Sequence, residues 1–304
     1  MEGDEGMVCV TGDGGRDISF LTNLPGASER LRVLTADLSD PENFSPAIKG
    51  WLGVFHVATP VDLEDREPEP VVTRRSIDGA LGILRACLNS KTVKRVVYTS
   101  SASAIQLNNS SDDTLDEDSW SNLESIREVT RFGAYAISKT MTEKAVLEFG
   151  ERHGLEVVTV APTFVHGPFI CPKFARSVQI ALALVLGNEN KYSTLLKISL
   201  VHVDDVVRAH IFLFDHPDTE GRSLKEVKGP IWASFSSRKL LDAGFEYKYG
   251  IEDNEAIQCC KEKECHKMPG FSSKKLLDIS FKFKHELEDR FERAIRSCKE
   301  NGYI

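Results

Sequence analysis

Short apolar runs alternate along the chain with longer stretches of helical period, the pattern of parallel strands joined by crossover helices. Met7 to Val10 reads as a first strand, Leu31 to Thr35 as a second, Gly53 to Ala58 as a third, Val93 to Thr99 as a fourth and Glu156 to Val160 as a fifth. Each closes on small or polar residues, the composition of strand ends that lead into loops. Between them, Ile77, Leu81, Leu84 and Leu88 recur at helical spacing within Ser76 to Leu88, and Met141, Ala145, Val146 and Phe149 do so after Lys139. Both patterns predict amphipathic helices packed on a sheet. Beyond Pro162 the pattern loosens into loops, with a helix near Ser177 to Leu186, a short strand over Leu200 to Val203 and a helix capped by Asp204 and Asp205. The fold class that follows is α/β, a doubly wound parallel sheet.

A chain of 304 residues with 41% hydrophobic and 28% charged content is long enough to bury a substantial core, and its balance is that of a soluble globular protein. The net charge of -8 argues against nucleic acid or an anionic membrane as partner, because phosphate binding rests on an excess of Lys and Arg. No apolar run reaches membrane-spanning length, and Met1-Glu2-Gly3-Asp4-Glu5 is not the start of a secretory leader, so a cytoplasmic location without membrane insertion is expected. Seven cysteines form an odd set without framework spacing, which suits reduced thiols. Cys259-Cys260 and Cys265-His266 lack the paired spacing of a zinc site, and no metal is expected. Near the C-terminus, Phe235 to Asp242 is written again as Phe271 to Asp278. Two copies make a duplication, since a solenoid needs about three units or more.

The chemistry starts at Tyr135 and Lys139, four residues apart and so on one face of a helix. Reduction of a carbonyl needs a proton donor at the oxygen, and a phenol with a pKa of about 10 serves poorly at neutral pH unless its anion is stabilised. The Lys139 ammonium is the expected stabiliser. Ser101 follows Thr99 and Ser100 at the end of the fourth strand, where its hydroxyl can polarise the same carbonyl. A Y-x-x-x-K spacing alone recurs by chance in a chain with six Tyr. Joined to Thr99-Ser100-Ser101, to Asp37-Leu38 and to Val57-Ala58-Thr59 after earlier strands, it points to a reduction site. Asp37 either closes its strand or accepts from the adenine amino group of a dinucleotide, and Val10-Thr11-Gly12 opens like a dinucleotide-binding turn. His202 and Asp204 read as structural.

These residues resemble the extended short-chain dehydrogenase/reductases of plant phenolic metabolism, the dihydroflavonol 4-reductase group. The resemblance rests on Val54 to Pro60, Asp78 to Leu84, Val96 to Ser101, Tyr135 to Thr140, Gly167-Pro168-Phe169 and Val201 to Asp205, and it runs over roughly residues 16 to 222. Arg16 to Ala27 and Glu143 to Gly150 place the chain nearest the vestitone reductase branch. The resemblance implies a Rossmann-like fold, NADP as cofactor and a small phenolic ketone as substrate. It makes Ser101, Tyr135 and Lys139 the catalytic set. It places cofactor contacts on Gly12, Asp37, Leu38, Val57, Ala58, Thr59, Tyr135, Lys139, Pro162, Thr163, Phe164, Val165 and Ser177, and a substrate contact on Gln106.

The departures from that group are two. Gly12-Asp13-Gly14-Gly15-Arg16-Asp17 runs straight on where the group has a further helix and strand, about thirty residues at ordinary element lengths, and a similar shortfall follows Arg222. The expected organisation is therefore a truncated NADP-binding domain over 1–160, a shortened substrate lobe interleaved with the sheet over 161–270 and the duplicated segment over 271–304. Two functions follow. One is an NADPH-dependent reductase of a flavonoid-type ketone. The other is a truncated relative that keeps the catalytic residues without holding the cofactor.

Overall fold

The computed structural model describes residues 7–12, 17–59, 67–107, 114–115, 117–128, 133–171, 174–183, 186, 188, 200–216, 221–225, 270–271 and 287–303. These fall into two units, one drawn from 1–109, 120–161 and 212–222, the other from 110–119, 162–211 and 223–304. The cysteines Cys259, Cys260 and Cys265 lie outside the described residues, as do Phe235 to Asp242 and, of the copy that begins at Phe271, residues 272–278.

In the first unit, β1 (Val8–Gly12) leads through two short helices, α1 (Ser19–Thr22) and α2 (Ala27–Arg30), to β2 (Leu31–Thr35). The two strands pair in parallel, Val8 opposite Leu31 and Gly12 opposite Thr35. A 3-10 turn at Pro41–Phe44 and α3 (Ser45–Ile48) then precede β3 (Gly53–His56), α4 (Glu69–Ser90) and β4 (Arg95–Thr99). β5 (Thr114–Leu115) belongs to the second unit, where it pairs with Gly270 and Phe271, and the first unit continues with α5 (Leu123–Glu128), α6 (Gly133–His153) and β6 (Glu156–Pro162). β3, β4 and β6 are parallel neighbours, with Val54 opposite Val96 and Val96 opposite Val157, so α4 and α6 are the crossovers of two βαβ units. β4 lies between its neighbours and is buried from Arg95 to Tyr98, whereas β2 and β3 leave Leu34 and Phe55 exposed. The sheet is not one continuous ladder, because among the described residues no strand pairing joins β1 and β2 to β3.

Both crossover helices begin earlier than their apolar periods. α4 starts at Glu69, ahead of Ser76, with Pro70 in the first turn where its missing N–H costs nothing. α6 starts at Gly133 and so takes in Tyr135 and Lys139; its buried face there is Ala136, Ile137, Ser138, Lys139 and Thr140, too polar to register as an apolar stripe. The two helices meet over the sheet, where the Ser138 hydroxyl donates to that of Ser76 at 2.8 Å inside the contact. The core between helices and sheet gathers Phe44, Ile83, Leu84, Val96, Tyr98 and Val146. Arg95, itself buried, closes the lower edge by donating to Glu156 at 2.9 Å and to the carbonyls of Leu213 and His216.

In the second unit, β7 (Phe164–His166) pairs in parallel with β8 (Leu200–His202), and α7 (Arg176–Ala181) packs with them. The helix α8 (Val203–Asp215) begins directly after β8. Asp204 and Asp205 are in its first turn and do not cap it. The Asp204 N–H is met instead by Nδ1 of His202 at 3.1 Å, a ring nitrogen doing the work expected of a carboxylate. β9 (Gly221–Lys225) follows β6 in the strand order of the sheet of β3, β4 and β6, and its Gly221 and Arg222 belong to the first unit. β10 (Gly270–Phe271) precedes the last helix, α9 (Leu287–Glu300), whose Ala294, Ile295 and Cys298 join Val178, Leu182 and Leu200 in a second core. Arg293 on α9 donates to Asp204 at 2.6 Å.

Gly82 shows how sequence serves packing in the first unit. A Cβ there would come within 2.1 Å of the Pro41 ring, so the absent side chain lets the segment after β2 lie on α4. Replacing Gly82 by Ala gains about 1 kcal/mol of helix preference, but forcing the ring aside costs about 1–3 kcal/mol. The expected net effect of Gly82→Ala is a loss of stability, read as a lower urea midpoint at unchanged slope.

Candidate active site

Lys139 organises the carboxyl end of the sheet. Its side chain is buried within the unit, and its Nζ donates to the Thr59 hydroxyl at 2.9 Å and to the Thr99 carbonyl at 2.8 Å. Thr59 follows β3 and Thr99 ends β4, so one ammonium from α6 joins the ends of two neighbouring strands. Two of its three N–H groups are thereby used. The ammonium also stands 5.2 Å from the centre of the Tyr98 ring. Burial pushes its pKa down to about 8, and the Glu143 carboxylate opposes that fall.

Ser101 and Tyr135 come together. The Tyr135 phenol neighbours the Ser101 hydroxyl, which accepts the Ser103 N–H at 3.2 Å at the head of a short 3-10 turn. The phenol is raised above its ordinary value by burial, and the Ser101 hydroxyl lowers it only in part. The expected lowering of the phenol by the ammonium is therefore not what this arrangement produces: Lys139 directs its protons to Thr59 and the Thr99 carbonyl, and burial dominates at Tyr135.

Behind these groups lies a polar layer that periodicity did not reveal. Glu143, fully buried one turn beyond Lys139, accepts from Ser100 and from Thr159, each at 2.6 Å. Tyr98 and His56 pack beside it with ring centres 5.3 Å apart. Burial raises the Tyr98 phenol and pushes the His56 imidazole down to about 3, the latter with help from the nearby Lys139 charge. The signal that could have found Glu143 is its spacing, since Tyr135, Lys139 and Glu143 advance by four residues each along one helix face.

The other sequence-derived positions are placed as follows. Asp37 is exposed just past β2, where Oδ1 accepts the Ser39 N–H at 2.8 Å, and that bond holds its carboxyl below the ordinary value. Leu38 is partly buried against the core and lines a cavity of about 470 Å³ with Ser39, Pro41, Val71, Arg74 and Asp78. Val57 and Ala58 are exposed after β3, Gly12 ends β1 and Gln106 is half-buried after the 3-10 turn of Ser101. Within the second unit, Pro162 and Thr163 are buried, Phe164 and Val165 are half-buried on β7, and Ser177 lies on α7. The groups present in the first unit suit a dinucleotide: an exposed carboxylate with one oxygen to spare at one strand end, a small apolar step at the next, and an ammonium with an unused N–H at the third. Residues 13–16, which follow Gly12 in the turn that opens like a dinucleotide-binding one, lie outside the described residues. Among the described residues no cluster of His, Cys, Asp and Glu could hold a metal, and no helix is long and apolar enough to cross a membrane.

Parallel βαβ units that carry a phenol, an ammonium and a hydroxyl at their carboxyl ends define a dehydrogenase-type α/β protein. The chain belongs to the NAD dependent epimerase/dehydratase family, matched over residues 10–225, and within it to the extended short-chain dehydrogenase/reductases related to vestitone and dihydroflavonol reductases. It is 48% identical to vestitone reductase of Medicago sativa over 281 residues, covering 82% of this chain and 86% of the relative. It is 40% identical to a dihydroflavonol 4-reductase of Hordeum vulgare over 277 residues, covering 80% and 78%. The crystal structure of the alfalfa (Medicago sativa) vestitone reductase superposes with a TM-score of 0.82 at 43% identity, covering 98% of this chain and 92% of that one. A yeast methylglyoxal/isovaleraldehyde reductase complexed with NADPH shares the fold, with a TM-score of 0.72 at 22% identity and coverage of 98% and 92%.

The depressed Lys139 has a consequence for stability. The folded protein binds this proton less well than the unfolded chain, so the contribution of Lys139 is fully present above about 10.5 and is lost as pH falls through about 8. The expected outcome is that the unfolding free energy of the wild type, less that of Lys139→Gln, rises between pH 7.5 and pH 10, roughly. Urea titrations at several pH values check it. Taking the difference removes the opposing trend from thiols such as Cys87, which burial pushes up to about 12.

Proposed function

We propose that this chain is an NADPH-dependent reductase of a flavonoid-type ketone, with Tyr135 donating the proton to the carbonyl oxygen. The observation that carries this reading is the convergence of Ser101, Tyr135 and Lys139 on adjoining strand and helix ends within one unit. NADPH would supply the hydride. Ser101, a neighbour of the phenol, holds the carbonyl oxygen beside the Tyr135 proton and stabilises charge developing there. Lys139 keeps a positive charge beneath the reacting groups and offers its unused N–H to the ribose. The exposed Asp37 and partly buried Leu38 would receive the adenine, while Val57, Ala58 and Thr59 line the step between. The ketone is drawn from the relatives, which are vestitone and dihydroflavonol reductases.

A second reading is a chain that retains these residues yet holds the dinucleotide weakly because its first βαβ unit is shortened. It is favoured by the separate β1–β2 pair and by the exposure of Val8, Leu34 and Phe55 on strands that a complete sheet would cover. The alignment with vestitone reductase adds support, since its 281 residues take up only 82% of this chain's 304 and so include positions that this chain lacks.

A fluorescence titration with NADPH, followed by turnover of vestitone and of a dihydroflavonol, separates the two readings. Saturable binding with turnover is expected, and absence of binding at millimolar NADPH favours the second reading. Tyr135→Phe should lower kcat by about 10²–10⁴-fold while leaving the unfolding transition unchanged. Equal turnover by that variant would remove Tyr135 from the chemistry.

A further inference from the structure

We infer that Glu143 is a positioning residue for the reduction proposed above: its buried carboxylate keeps Lys139 charged and clamps the strand end that carries Ser101. The inference rests on that reading of Lys139 and Ser101 but concerns a residue one turn further along α6. Glu143 is fully buried, and a buried carboxylate is tolerated only where hydrogen bonds and an opposite charge meet it. Both oxygens are met. Oε2 accepts from Ser100, whose own N–H donates to the Val160 carbonyl at 2.7 Å, and Oε1 accepts from Thr159. The carboxylate therefore ties α6 to β4 and β6 one residue before Ser101.

Its charge acts on Lys139, whose other titratable neighbours contribute no anion near neutral pH. His56 from β3 stays uncharged because burial pushes it down to about 3, and the phenols of Tyr98 from β4 and Tyr135 from α6 are raised. Glu143 is the group that opposes the desolvation of the ammonium. Ser100, Thr159 and Glu143 thus form a support that touches neither carbonyl nor nicotinamide and acts through the groups that do.

The test is a lysine titration followed by NMR in protein labelled with ¹³C at lysine Cε, the Lys139 signal being identified by its loss in Lys139→Gln. The wild-type signal is expected to titrate near about 8. In Glu143→Gln, which can keep hydrogen bonds to Ser100 and Thr159 but removes the charge, the midpoint should fall by about one unit or more. A midpoint within roughly 0.3 unit of wild type in a folded Glu143→Gln protein would overturn the inference, since a purely structural Glu143 would leave this titration in place. If Glu143→Gln does not fold, the double variant Lys139→Gln/Glu143→Gln decides. A folded double variant locates the damage in an uncompensated Lys139 charge, as inferred, and an unfolded one makes Glu143 a support independent of Lys139 and overturns it. None of these readouts needs turnover, so a protein that fails to reduce any ketone leaves the result intact.

Discussion

The burial of one ammonium is the constraint on which the carboxyl end of this sheet depends. A lysine removed from water must find oxygen partners in fixed places. Lys139 finds them in the Thr59 hydroxyl and the Thr99 carbonyl. Because those partners belong to the ends of different strands, satisfying the charge also sets where the strand ends lie relative to α6. The same helix face carries Tyr135 one turn before and Glu143 one turn after. The phenol, the ammonium and the carboxylate are thus placed by a single α-helix whose position is set by hydrogen bonds on both sides of it.

The fold supplies the rest by ordinary means. Two parallel crossovers bring α4 and α6 together on the sheet, and their contact is polar at Ser76 and Ser138 and apolar at Leu84 and Val146. This leaves the first turns of α6 packed over the ends of β4 and β6, where Ser100, Ser101 and Thr159 are available. Electrostatics then divide the layer by depth. Tyr135 and Ser101 are half-buried, whereas Lys139, Glu143, Tyr98 and His56 are enclosed and keep the charge states that burial and neighbours allow.

Much of this was legible in the sequence, for reasons that can be traced to particular residues. The strand that starts at Glu156 was read from a short apolar run because a buried parallel strand is apolar on both faces, and Leu31 to Thr35 was read from the spacing of Leu31, Val33 and Leu34 although no residue of that strand is fully buried. That Tyr135 and Lys139 share one helix and that Ser101 follows the end of a strand were read from spacing. The beginnings of α4 and α6 were not, because a Pro in a first turn and a buried face built from Ser, Thr, Lys and Glu both lie outside apolar periodicity. Glu143 was missed for the same reason: a buried carboxylate in a polar layer looks, in sequence, like a solvated one. The raised Tyr135 phenol was missed because spacing shows which groups share a face but not where a flexible ammonium sends its protons. The capping role passed from Asp204 to His202 because the helix begins one residue earlier than its acidic pair suggested.

The most direct test of the central claim is a crystal structure of the chain grown with NADP⁺. The result expected is density for the nicotinamide ribose within hydrogen-bond reach of Lys139 Nζ and the Tyr135 phenol, with Ser101 facing the same space. Density for the dinucleotide elsewhere, with Lys139 still enclosed between Thr59 and the Thr99 carbonyl, would contradict it.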